Sequence, residues 1–295
     1  MRVGLLGLGR IGAFHAETLA GLVDELIVSD PVRTTPYGRQ GDPFEADALV
    51  IATPTATHAE LLLKACAIGI PTFCEKPVAP TLEETRSVLE SRGDTLVHIG
   101  FQRRFDAEYQ AARQALQGGE LGELHRVHQV TGDPAPPPAD YIPMSGGIYR
   151  DCHIHDFDIL RWVTGREVTT VYATGANRGA DFFAAAGDVD NSAALLTLDD
   201  GTLVTLQGSR YNGAGYDVRM ELAGTKDTRV VGAGLPLAPD FVTRFADAYR
   251  AELAAFLRAA REGLPSPCSI EDALAALRIA EAAEKSRREG REISL

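Results

Sequence analysis

Residues 2–30 read RVGLLGLGRIGAFHAETLAGLVDELIVSD, and the order of elements in them decides the fold. Arg2 to Leu6 is a short apolar run that predicts a buried strand. Gly7-Leu8-Gly9-Arg10-Ile11-Gly12 follows at once and opens a predicted helix that ends near Gly21. A second strand, Glu25 to Ser29, ends in Asp30, 18 residues past Gly12. G-x-G-x-x-G between a strand and a helix points to dinucleotide binding. The first glycine makes the tight turn, the second lets backbone approach a pyrophosphate, and the third lets helix and strand pack closely. The helix N-terminus offers amides and a partial positive charge to the phosphates. Asp30 stands where an acid bonds the adenosine ribose hydroxyls.

Outward from that unit, Pro31 to Asp47 holds three prolines and two glycines, too irregular and too short for a crossover helix. A shortened loop on the adenine side is expected there. Ala48 to Ala52 is a third strand, and Thr57-x-x-Glu60 reads as a capping box for a helix to Ala67. Pro71 to Cys74 is a fourth strand with Glu75-Lys76-Pro77 at its carboxyl end, where doubly wound sheets bind ligands. A second capping box, Thr81-x-x-Glu84, opens a helix to Ser91, and Thr95 to Ile99 is a fifth strand. Lys76 is either a solvated surface lysine or a fixed, inward group; its place between a strand end and a proline favours the second.

After Gly100 the alternation fails. A helix, Ala107 to Gln117, precedes strands that read as antiparallel: 123–131, 169–176, 193–198 and 202–208, with 217–223 and 228–231 as a further pair. Asp199-Asp200-Gly201 is a hairpin turn signal. Two helices, Phe241 to Arg261 and Ile270 to Glu289, close the chain. The pattern predicts an α/β domain followed by an α+β domain: a Rossmann-type, mainly parallel sheet over 1–100, then an open, largely antiparallel sheet over 101–295.

The net charge of −12, from 41 acids and 29 bases, argues against nucleic acid and anionic membrane as partners. It leaves room for an anionic cofactor held by backbone amides. Cys66, Cys74, Cys152 and Cys268 are scattered without ligand spacing and fit a reducing cytoplasm. No signal-peptide pattern or bilayer-spanning apolar run is visible.

Ser145 to Gly165, SGGIYRDCHIHDFDILRWVTG, is the densest cluster of chemistry. Two glycines permit a sharp turn into an apolar helix ending at Gly165. At 100° per residue, Asp151, His155, Asp158 and Trp162 share one stripe, with Asp151 and His155 at i and i+4. A carboxylate that orients an imidazole makes a general-base dyad. Two other readings stand beside it. One is a core histidine bonded to an acid. The other is a metal site using His153, His155, Asp156 and Asp158, as in a metal-dependent hydrolase. On a helix His153 and His155 point about 200° apart, which excludes one ion for both.

Taken together, these pieces resemble the Gfo/Idh/MocA oxidoreductase family over nearly the whole chain. The resemblance rests on Gly7 to Gly12, Thr53-Pro54-Thr55 followed by His58, Glu75-Lys76-Pro77, and Asp151-x-x-x-His155. Gly100 to Asp106, Asp133 to Pro138, Ser145-Gly146-Gly147 and Ile154 to Asp158 look like its inositol 2-dehydrogenase branch. The resemblance implies Lys76, Asp151 and His155 as the catalytic lysine, aspartate and histidine. It implies NAD held by Gly7, Gly9, Arg10, Ile11, Gly12, Asp30, Thr53, Pro54, Thr55, His58, Glu75 and Lys76, and the Asp30 carboxylate favours NAD over NADP because it would repel a 2′-phosphate. Arg33 bears on that choice, because a nearby arginine can accommodate a 2′-phosphate.

The substrate groups implied are Lys76, Arg104, Asp133, Tyr141, Asp151, His155 and Tyr216, no metal is implied, and a homodimer or homotetramer is expected. The substrate expected is a cyclic polyol, with an aldose or sugar derivative as the alternative. A non-catalytic cofactor- or sugar-sensing relative is the other class, and joint retention of Lys76, Asp151 and His155 speaks against it. The chain departs from the branch at Pro31 to Asp47, which is short, and at Gly132, where the branch tends to carry arginine.

Overall fold

Six strands make the first sheet: β1 (Arg2–Leu6), β2 (Glu25–Ser29), β3 (Arg39–Gln40), β4 (Ala48–Ile51), β5 (Thr72–Glu75) and β6 (Val97–Gly100). Their order is β3-β2-β1-β4-β5-β6, and every pair is parallel. Parallel neighbours need crossovers, supplied by α1 (Arg10–Ala20), α2 (His58–Ala67) and α3 (Leu82–Ser91). The order reverses between β1 and β4, the switch point at which doubly wound sheets hold ligands. Val3, Leu5, Ile27, Val28, Leu49, Val50 and Ile51 are fully buried, as strands covered on both faces require.

The computed structural model describes residues 1–234 and 236–295. They form two units, 1–102 with 249–274 and 103–248 with 275–295. Pro31 to Asp47 contains no α-helix, in line with its prolines, but it does contain the edge strand β3 and a 3-10 turn, Pro43–Glu45. The sequence reading had no strand there because two residues carry no periodicity. The Thr81 capping box forms: Thr81 Oγ1 accepts from the Glu84 amide at 3.2 Å and donates to Glu84 Oε2 at 2.7 Å. The box expected at Thr57 does not. That hydroxyl is drawn back to the Pro54 carbonyl at 2.9 Å and to Thr53 Oγ1 at 2.7 Å, so it leaves α2 uncapped by a side chain.

The second unit opens with α4 (Ala107–Gln117) and β7 (Leu124–Gly132). Three helices follow, α5 (Ile142–Ser145), α6 (Ile148–Asp151) and α7 (Ile154–Thr164). Next come β8 (Val168–Ala176), α8 (Phe182–Ala185), β9 (Asn191–Leu198), β10 (Leu203–Ser209), β11 (Asp217–Gly224) and β12 (Thr228–Val231). Helices α9 (Phe241–Glu262) and α10 (Ile270–Glu289) precede the last strand, β13 (Ile293–Ser294). The seven-stranded sheet runs β12-β11-β7-β10-β9-β8-β13. All its pairs are antiparallel except β7 with β10.

One face of this sheet carries buried Val127, Gln129, Thr131, Ser192, Ala194, Leu196, Val204 and Leu206. The other carries a cross-strand row, Tyr172, Leu195, Thr205, His128, Glu221 and Val230, in register across five strands and their β12 neighbour. Helix α9 is interrupted at Phe245 (φ −115°, ψ 19°), and from residue 249 the chain belongs to the first unit. There Leu253, Phe256 and Leu257 join the core built on β1, β2 and β4. The strand–helix alternation before residue 100 gives no hint of this return.

Candidate active site

In the first unit the turn after β1 forms because two of its glycines have no room for a side chain. Gly7 has φ +90°, and a Cβ there would lie 2.6 Å from the Ala52 carbonyl oxygen. A Cβ on Gly12 would lie 2.2 Å from the Gly7 carbonyl oxygen. At Gly9, by contrast, the nearest atom to such a Cβ is Arg33 Nη1, 3.7 Å away. The turn is therefore tight underneath and open at its middle glycine, the shape a pyrophosphate needs. No side chain caps α1, so its first-turn amides are presented without a built-in competitor.

Asp30 closes the turn from the end of β2. Its Oδ2 accepts from the Leu8 amide at 2.7 Å, and its Oδ1 accepts from the Val32 and Arg33 amides at 2.9 and 2.8 Å. These bonds, the one from Leu8 foremost, hold the carboxyl below the usual aspartate value, so it stays ionised. Arg33 returns the contact, with Nη1 donating to the Leu8 carbonyl at 3.0 Å. The cradle and its acid fit a dinucleotide whose ribose hydroxyls donate to a carboxylate.

Thr53, Pro54 and Thr55 lie in the loop after β4, and Glu75, Lys76 and Pro77 at the end of β5. His58 braces the two: its ring nitrogens face the Thr53 and Pro77 carbonyl oxygens, both at 2.8 Å. The ring is buried, so His58 shapes both loops with its nitrogens bound to backbone. Glu75 Oε1 meets Nε2 of buried His15 at 2.7 Å. His15 sits in a nest of rings from Phe14, Phe73 and Tyr249. Lys76 is half-buried and joined to Pro77 by a cis peptide bond. His15 was not read from the sequence; its only signal was a polar residue on an apolar helix stripe.

In the second unit Gly146 and Gly147, at φ +80° and +89°, turn the chain into α6, as the paired glycines predict. The single helix read from the paired glycines to Gly165 is in fact two. Helix α6 ends at Asp151 and α7 begins at Ile154. The His153 amide reaches back to the Ile148 carbonyl at 3.1 Å, which widens the turn between them. Asp151 and His155 therefore stand on either side of a helix break, not on one helical stripe. His155 is half-buried on the first turn of α7.

Asp151 is held from two directions: Oδ1 accepts from the Tyr141 hydroxyl at 3.0 Å, and Oδ2 from Arg210 Nη2 at 2.8 Å. Arg210 Nη1 donates to Asp133 Oδ2 at 3.2 Å, and the Cys152 thiol donates to the same oxygen at 3.6 Å. Desolvation first, and then the charge of Asp151, push the Tyr141 phenol above its ordinary value. Tyr141 thus remains a hydrogen-bond donor. Asp133, Tyr141 and Asp151, all expected from the sequence, come together here, and Arg210 joins them unannounced.

His153 is a core residue. Its Nδ1 meets Asp156 Oδ2 at 2.7 Å and its Nε2 meets Ser192 Oγ at 2.7 Å. Both nitrogens are spent, which removes His153 from the metal reading of the His-x-His pair. Asp156 also accepts from Thr131 Oγ1 at 2.8 Å and pairs with buried Arg103. Burial alone would raise its carboxyl; Arg103, His153 and Thr131 outweigh that and leave it below the usual value. Tyr216 is buried, and its ring lies edge-on to Phe241 and Phe245. Arg104 forms a buried two-pronged pair with Asp158, with Nε to Oδ2 at 2.9 Å. The structure thus gives Arg104 a packing and charge-pairing place of its own.

A parallel sheet with this glycine turn, followed by a second unit carrying acids and histidine, defines a nucleotide-dependent oxidoreductase. Family comparison makes that specific. The profile of the oxidoreductase family's NAD-binding Rossmann fold matches residues 39–98, and that of the GFO/IDH/MocA C-terminal domain matches 109–229. The chain is 37% identical to inositol 2-dehydrogenase of Rhizobium meliloti, covering 100% of this chain and 99% of that protein. It is 34% identical to scyllo-inositol 2-dehydrogenase (NAD(+)) of Bacillus subtilis, covering 100% and 96%. The crystal structure of scyllo-inositol dehydrogenase from Lactobacillus casei with bound NAD(H) and scyllo-inositol is 26% identical. It superposes with a TM-score of 0.91, covering 100% and 98%. The chain belongs to the GFO/IDH/MocA oxidoreductase family, and its first unit is an NAD-binding Rossmann fold.

Proposed function

We propose that this protein oxidises a secondary ring hydroxyl of a cyclic polyol, myo-inositol or a close relative, to the ketone with NAD. The observation that carries the reading is the grouping of Asp133, Tyr141 and Asp151 around Arg210, in a chain matched end to end by inositol 2-dehydrogenases. A ring bearing many hydroxyls needs many fixed acceptors and donors, and a site built on such bonds rejects analogues that lack them. Bound NAD supplies the hydride acceptor. The cradle of Gly7, Gly9 and Gly12 would hold its pyrophosphate, and Asp30 its ribose. His155 accepts the hydroxyl proton, Asp151 orients His155 and stabilises its charged form, and Lys76 hydrogen-bonds the reacting oxygen. Tyr216 and Asp133 read the remaining hydroxyls.

An aldose or sugar derivative is the second reading, favoured by Gly132, which stands where the inositol branch tends to carry arginine and where a Cβ would meet Asn212. Following NADH absorbance over a panel of inositol isomers, aldoses and sugar acids tests both. Oxidation of at least one inositol is expected; turnover of an aldose with none of any inositol overturns the polyol reading. Running the same panel with NADP tests cofactor choice, and Asp30 predicts a preference for NAD because its charge repels a 2′-phosphate.

We also propose a homo-oligomer in a reducing cytoplasm. The open sheet face supports the first, since Leu195 and Leu203 are 58% and 62% exposed on it beside Tyr172 and Val230. Four free cysteines fit the second. Among the described residues no helix is long and apolar enough to cross a membrane.

A further inference from the structure

The parallel pair in the second sheet makes a side-chain device. Strands β7 and β10 run in register, with Gly132 opposite Ser209, so Asp133 and Arg210 leave adjacent strands at the same end. Backbone bonds fix both exits: the Asp133 amide donates to the Ser209 carbonyl at 2.9 Å and the Arg210 amide to the Asp190 carbonyl at 2.8 Å. The Arg210 side chain is 3% exposed, and its guanidinium spends one terminal nitrogen on Asp133 and the other on Asp151. A guanidinium presents its donors in a rigid fork, so it sets the spacing of the two carboxylates as well as neutralising them. Two carboxylates this close oppose each other's ionisation unless a cation lies between them.

We propose that Arg210 is the positioning residue of the active site, clamping Asp151 against Tyr141 in one orientation and holding Asp133 and Asp151 side by side. The inference rests on the role proposed above for Asp151, and it adds a residue to which no role has been given. The groups facing Arg210 are Asp133 beyond β7, Asp151 at the end of α6, Cys152 after it and Tyr141 before α5. Asp188, which accepts from the Ile148 amide at 3.1 Å, also feels its charge. Asp151 responds most directly to loss of the cation, because it shares the shortest of the bonds to Arg210.

The test pairs Arg210→Met with Arg210→Lys. In the methionine variant the ¹³Cγ titration midpoint of Asp151, read by NMR without substrate, should rise by about one to two pH units, the size of effect an adjacent opposite charge exerts. The acid limb of kcat/KM against pH should rise with it, and kcat should fall on the order of 10²-fold at neutral pH. NAD affinity should stay at the wild-type value, because the cradle lies in the other unit. Arg210→Lys keeps the charge without the fork, so it should restore most of the midpoint but less of kcat. Should Arg210→Met not fold, the lysine variant decides: wild-type kcat there overturns the clamp. In a folded methionine variant, an unmoved Asp151 midpoint overturns the proposal. The NMR shift remains decisive even if wild-type protein oxidises no inositol, an outcome that would sink the functional reading alone.

Discussion

Residues 7–12 handle charge with backbone, whereas Asp133, Asp151 and Arg210 handle it with side chains. The glycine turn is contiguous, and its shape comes from what is missing: a Cβ at Gly7 or Gly12 would collide with backbone. The acid cluster draws on residues up to 77 positions apart and exists only because β7 and β10 pair in parallel. The first is insensitive to protonation, because peptide amides do not titrate at ordinary pH. The second depends on side-chain charge. A turn of the first kind suits a group common to many enzymes, and a cluster of the second kind suits the group that distinguishes one substrate from another.

The largest effect expected separates the two regions completely. His155→Ala should lower kcat on the order of 10²- to 10⁴-fold, the usual cost of removing a positioned acid–base group, while NAD binding stays unchanged. Stopped-flow turnover and a fluorescence titration with NADH check it, and near-wild-type turnover would break the assignment of His155. Next comes Asp156→Asn, which leaves buried Arg103 without its carboxylate and should cost about 3–5 kcal/mol of unfolding free energy.

Its pH signature has a definite sign. The folded-state carboxyl of Asp156 lies below its ordinary value of 3.8. Its stabilisation is therefore complete above about pH 4 and lost as pH falls through the lower folded value. Urea melts from pH 7 to pH 2 should show the difference between wild type and variant shrinking only at the acid end. A difference independent of pH would place the effect in packing instead.

A smaller effect sharpens the backbone side of the comparison. Gly12→Ala should destabilise by about 1–3 kcal/mol, since its Cβ meets a carbonyl that cannot move aside. Gly9→Ala should fold normally, since its Cβ meets only the end of Arg33, yet bind NAD more weakly. Thermal melts and NAD titrations read the pair; equal stability of both variants would contradict the description of the turn. The smallest stability change, within about 0.5 kcal/mol for the isolated chain, is expected from Leu203→Glu on the open sheet face. That variant should sediment as a smaller species than wild type. If wild type itself sediments as a monomer, the oligomer proposal falls.

Much of the first unit was legible in residues 1–100 because its signals are local. Gly12 packs on Gly7, Thr81 caps at Glu84 and Asp30 accepts from Val32 and Arg33, each a partner within a few residues. The paired glycines before α6 and the bounds of α10 were readable for the same reason. Errors arose where another partner outbid the expected one. Thr57 is the plain case, its hydroxyl taken by Pro54 and Thr53. The break between Asp151 and Ile154 is another: the intervening His153 is buried against Asp156 and Ser192 while its amide bonds five residues back.

By itself the sequence determined a dinucleotide turn, its acid, and the residue types available for proton transfer, because turns, caps and strand ends obey short-range stereochemistry. Only the tertiary structure decided which charges meet. Arg103, Arg104 and Arg210 are three buried arginines with one residue's chemistry, yet each pairs with a different aspartate, Asp156, Asp158 or Asp151. Nothing within a few residues of any of them selects its partner. The choice follows from strand register and helix packing, which bring distant carboxylates to fixed guanidinium forks and bury each charge with its partner in place.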